Sequence, residues 1–198
     1  MNKYAFMTTY SNNICYTKTS HVSTKAVKHY WPYLLQVIQM YTARGFRIVM
    51  IRGDFEFNGI SQQVAELPSA PRLDLESQIG PVERNIKYVK EKARSQWASL
   101  PYERFPGIVV IYMVLHASRV VNYFPRSGGI AHYSPRMIMR DEQLSMDELR
   151  LPFGTYVQVK EPSTQSNSML PRTRGAIALG PSGNTKEVKY SWRWIQDT

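Results

Sequence analysis

The chain is poor in the residues that build covalent or metal staples. Cys15 is its one cysteine, which excludes an internal disulfide framework and any zinc site made of several thiolates. That usage points to a reducing, intracellular compartment. His21, His29, His116 and His132 are scattered without metal-ligand spacing, and each reads as an ordinary surface or helix residue. Acid is scarce and late, with no Asp or Glu before Asp54. Long hydrophobic runs are missing as well. The greasiest stretch, residues 107–115, is too short to cross a bilayer, and His116 and Arg119 interrupt its continuation. Residues 1–10 carry one Lys and no apolar run of the signal-peptide kind. No membrane partner is expected.

What is present is base and core-forming residue. The 198 residues are 43% hydrophobic and 12% aromatic, enough for one domain with a real core and a small appendage. Twenty-five Lys and Arg face 15 Asp and Glu, a formal net charge of +10, and the sequence pI is about 9.7. That balance favours a polyanionic partner, nucleic acid ahead of an acidic membrane surface. It also fits a merely basic soluble protein.

Residues 4–9 and 14–18 read as two short strands joined by the turn Ser11-Asn12-Asn13. Thr24 is placed to cap a helix that runs to Arg44 and stops at Gly45, with a late start or a kink at Pro32. Residues 47–51 form a nearly all-apolar segment, the pattern of a strand buried on both faces. Asp54 lies just past its carboxyl end, where α/β proteins place their ligands. A short helix at 58–67, one more strand at 72–76 and a buried helix at 104–124 are expected. Ser134 opens a capped short helix, and 153–160, 173–180 and 188–195 are β-like, with turn-rich links at 162–171 and 181–184.

Between Gly80-Pro81 and Trp97 the pattern is that of an amphipathic helix. Val82, Ile86, Val89, Ala93 and Trp97 make one apolar stripe. Glu83, Lys87, Lys90 and Arg94 repeat that rhythm one residue later, at the expected border between core and solvent. An acid followed by a ladder of bases suits a metal ion held beside a phosphate backbone. It equally suits a solvated helix face with a Glu–Lys pair worth about 0.3–0.5 kcal/mol.

Four segments in order resemble the integrases of copia-type retrotransposons. They are Asp54-Phe55-Glu56-Phe57; Val82-Glu83-Arg84-Asn85 with Lys90 behind it; Ser134-Pro135-Arg136-Met137-Ile138; and Phe153-Gly154-Thr155-Tyr156-Val157 followed by the strand Gly175–Gly180. The likeness covers nearly the whole chain. It implies an α/β fold, with a ribonuclease H-like mixed sheet and flanking helices in residues 1–145 and a small β-rich appendage in 146–198. It implies a catalytic core whose three acids bind two Mg²⁺ (or Mn²⁺) ions. Asp54 matches the second acid and Glu83 the third, with Glu76 as a fallback for Glu83. Glu56 is assigned to the local fold. The first acid, and the strand that carries it, have no counterpart in this sequence, and neither has the family's zinc-binding module.

The implied chemistry is phosphoryl transfer, in which a water or a DNA 3′-hydroxyl attacks a phosphodiester in line. Two metal ions about 3.5–4 Å apart stabilise the attacking and leaving oxygens, and hard carboxylates suit Mg²⁺. The absent acid is the one that bridges the two metals, so this chain is expected to bind DNA and to carry out little or no strand transfer. Lys87, Lys90 and Arg94 are the expected phosphate contacts. The alternative is a non-catalytic, co-opted or relic DNA-binding module. The resemblance also implies a nuclear or virus-like-particle location and a homo-oligomer.

Overall fold

The computed structural model describes residues 4–24, 26–102, 106–160 and 172–181, and the main chain of 190–192. It is a mixed α/β structure of small sheets and several helices. Strand β1 (Ala5–Tyr10) pairs antiparallel with β2 (Thr17–Val22), from Ala5 opposite Val22 to Tyr10 opposite Thr17. The second strand starts later than its sequence pattern predicts. Ile14 and Tyr16 leave the ladder to pack with Met139, Met40 and Phe46, and Cys15 between them takes a left-handed φ of 55°.

Helix α1 (Val27–Ala43) follows. Its cap residue is Ala26 and not Thr24; the Thr24 hydroxyl instead accepts a bond from the Ala26 N–H. Pro32 lies inside the helix, where it has no N–H to give to the preceding turn. Gly45 ends it with φ of 78°, donating its N–H to Thr42, a conformation that glycine adopts without steric penalty.

Strand β3 (Met50–Gly53) pairs in parallel with β4 (Arg72–Leu75), and a 3-10 turn (Phe55–Ile60) and α2 (Ser61–Ala65) connect them. Burial of this strand on both faces is not observed. Ile48 and Ile51 pack towards α1, whereas Val49 is 70% and Met50 41% exposed. The physical reason is the sheet's size: β3 has β4 as its one partner among the described residues, and the face away from α1 is uncovered.

Helix α1 holds the two strand pairs together. Its Tyr30, Leu34 and Ile38 share one apolar core with Met7 and Val22 of the hairpin, with Ile60 and Val64, and with Ile51 and Leu73. A second core lies between α3 (Gly80–Ala98) and α4 (Gly107–Val120) around Val89, Ala93, Met113 and Ala117. Burying each of the larger side chains stabilises the fold by about 1.5–3 kcal/mol. Two short helices follow, α5 (Pro135–Arg140) and α6 (Met146–Leu149); the expected cap of α5 is present, Ser134 Oγ accepting from Met137 N at 3.1 Å.

The remaining sheet contains β5 (Tyr156–Lys160), β6 (Thr173–Pro181) and β7 (Tyr190–Trp192), antiparallel in that order. Phe153 and Leu179 join the α3–α4 core. Gly180 has φ of 94°, and a Cβ there would stand 2.6 Å from the ring of His116, so only glycine lets the strand approach α4 this closely. The predicted link at 162–171 and most of that at 181–184 lie outside the described residues.

Candidate functional site

The two parallel strands place acids at one end. Asp54 directly follows β3 and opens the 3-10 turn, its carbonyl accepting from Phe57 N at 2.9 Å. Glu76 directly follows β4 and donates its N–H to Gly53 O at 3.0 Å. Since Gly53 stands opposite Leu75, Asp54 and Glu76 continue the register as neighbours. One step back, Arg52 stands opposite Asp74 and meets it at 3.8 Å. Asp54 is exposed and Glu76 half-buried. Glu83 lies in the first turn of α3, exposed, and the chain reaches it from the same strand ends through residues 76–79. Among the described residues no three His, Cys, Asp or Glu side chains come together in a metal-holding group.

Helix α3 is more sharply divided than its sequence suggests. Asn85, Val89 and Ala93 are its buried line. Ile86 and Val82 are half-buried, and Trp97, expected on the apolar stripe, is 40% exposed. Glu83, Lys87, Lys90 and Arg94 are all exposed. They sit on the solvent face and not at the core border.

The missed residue is Asn85, which is 2% exposed. Its Oδ1 accepts from Thr17 Oγ1 at 3.1 Å and from Arg126 Nη1 at 2.9 Å, while its Nδ2 has no partner among the described residues. The Arg126 guanidinium also stands over the rings of Tyr88 at 5.1 Å and Tyr10 at 5.8 Å. Helix α3 is thereby fixed to the hairpin through a buried polar node. The signal in the sequence was a polar residue on the phase of Val89 and Ala93, which a search for an apolar stripe passes over.

A second polar node joins α4 to β2. Asn122 accepts from Thr17 N at 2.8 Å and donates to Thr17 O at 2.7 Å. One side chain thus makes both bonds that a neighbouring strand residue would make. Arg136, also buried, donates through both Nη atoms to Glu148 at 2.6 Å and reaches Glu142 at 3.3 Å; its pairing with Glu148 holds its pKa above the ordinary value.

His116 on α4 shares a 2.8 Å hydrogen bond with Gln96 of α3 and packs against Phe153. Burial, with the nearby Arg119 charge, pushes its pKa down to about 4. It is a neutral packing residue that links both helices to the C-terminal sheet. No helix among the described residues is long and apolar enough to cross a membrane. No protein-family model matches the chain, and no curated protein matches it.

Proposed function

We propose that the chain is a retrotransposon integrase-like domain of the ribonuclease H-like class that binds DNA and does not transfer strands by itself. The observation that carries this reading is the solvent-facing ladder of Lys87, Lys90 and Arg94 behind Glu83, on a helix that starts from the acidic ends of two parallel strands. The order of elements supports the class: a hairpin, a helix covering it, then parallel strands with an acid at each carboxyl end. Two separate strand pairs resting on one helix are what a sheet of this kind leaves when a strand between β1 and β3 is absent. The β5–β7 sheet falls within residues 146–198, with Phe153 and Leu179 packed into the α3–α4 core.

Asp54 and Glu83, with Glu76 beside Asp54, offer the hard oxygens that Mg²⁺ prefers. They lack the bridging third acid of a paired metal centre, and the described residues do not supply it. The proposed activity is therefore binding, with strand transfer as the ancestral reaction.

The test is the salt dependence of duplex binding. With each cation neutralising one phosphate, log K falls against log salt by about 0.9 per contact. Lys87→Ala with Lys90→Ala should make the slope shallower by nearly two. An unchanged slope identifies the ladder as a solvated face. Robust Mg²⁺-dependent strand transfer by residues 1–198, lost in Asp54→Asn, would overturn the non-catalytic assignment.

A further inference from the structure

Among the described residues the outer edge of β2 has no partner strand beyond Thr17, and a cleft of about 680 Å³ runs along it, floored by residues 16–21 and walled by α1, α4 and α5. In an antiparallel pair, residues alternate between pointing both main-chain groups at the partner and pointing both away. Thr17 points its pair away from β1, into Asn122. Thr19 and His21 share that phase, so their N–H and C=O groups face the cleft. Among the described residues, nothing takes up those two pairs as Asn122 takes up that of Thr17.

The cleft is also cationic. Lys18, Arg119, Arg136 and Arg140 line it, and no acid does. Glu148 pairs with Arg136, and Glu142 pairs with Arg136 and Arg140, without lining the cleft. Burial lowers the Lys18 pKa, and the charges of Arg119 and Arg140 lower it further. Tyr123 adds an independent mark. It lines the cleft, is 4% exposed, and its hydroxyl has no partner among the described residues, whereas buried polar groups are normally paired.

We propose that this cleft docks an extended acidic peptide, which adds as a strand on the Thr19–His21 edge and sets a carboxylate among Lys18, Arg119 and Arg140. Strand addition supplies the missing main-chain partners, and charge pairing selects the side chains. A phosphate backbone would meet the cations and leave the main-chain pairs of Thr19 and His21 unused. The site is separate from the α3 ladder, so it stands or falls apart from the nucleic-acid reading.

The probe is a fluorescent, end-blocked hexapeptide of alternating Val and Glu, titrated into the full chain and followed by anisotropy. Saturable binding is expected, weakened about tenfold by Lys18→Gln and likewise by Arg140→Gln, and unaffected by Lys87→Ala with Lys90→Ala. In the unmutated chain, saturating peptide should slow amide hydrogen exchange at Thr19 and His21. The same peptide N-methylated at alternate amides should lose binding in one of the two registers. Absence of saturable binding, or unchanged exchange at both amides under saturation, overturns the proposal. So does protection of the cleft by a DNA strand or inorganic phosphate with none by the peptide.

Discussion

His116 shows how one residue sets a pH dependence. Its pKa is about 4 in the fold against 6.5 for the free side chain. Between those values the unfolded chain binds a proton that the folded chain refuses, so stability rises with pH there. The contribution is complete above pH 6.5 and is lost as pH falls through about 4. The shift corresponds to about 3 kcal/mol at the acid end. Urea unfolding at pH 7 and pH 4.5 should therefore differ more for the native chain than for His116→Gln, which keeps a polar end towards Gln96 and does not titrate. Equal pH dependence in both would assign the acid sensitivity to other groups. None of this was legible in the sequence, where His116 reads as a helix residue of no special kind. Its burial comes from Gly180 and Phe153, more than thirty positions away in the chain, and local pattern carries no such information.

Among the elements, helices were easier to read than strands. The α3 and α4 segments announce themselves by period and length, and the α5 cap by Ser134-Pro135. The apolar run around β3 overstates its burial, because such a run reports what could be buried, while actual burial depends on how many neighbours the sheet supplies. Val49 and Met50 stand exposed beside an edge that has no partner among the described residues. Exposed apolar edges template pairing between molecules. We expect light scattering of the native chain to grow with concentration. Val49→Lys should reduce that growth and shift unfolding by no more than about 0.5 kcal/mol, the usual range for a surface change. Scattering that is identical in the two proteins would show that association uses another surface. Of the candidate acids, what the sequence conveys is position along the chain. Asp54 falls at a strand end as its sequence position predicts, and the acid standing next to it in the register is Glu76.

On the scale of the whole molecule, the N-terminal hairpin depends on what comes much later. Thr17 is held by Asn85 from α3 and by Asn122 from the end of α4, the latter 105 residues downstream. A chain emerging from the ribosome makes β1 and β2 early, yet the asparagine that holds the Thr17 end of the β2 edge arrives 105 residues later. At about 5–20 residues per second, the hairpin waits some seconds in an unfinished state. A two-stranded hairpin alone is marginal in water, so it should exchange its amides freely until α4 has formed. Stalled nascent chains ending near residue 100 should show no protection at Thr17, and chains carrying residues 1–160 should show it. Protection in the shorter chains would mean that the hairpin matures without its distant asparagine. If the expected order holds, the vulnerable period of this protein falls during its synthesis, and a chaperone meeting it then would find the two strands that the finished fold keeps covered by helices.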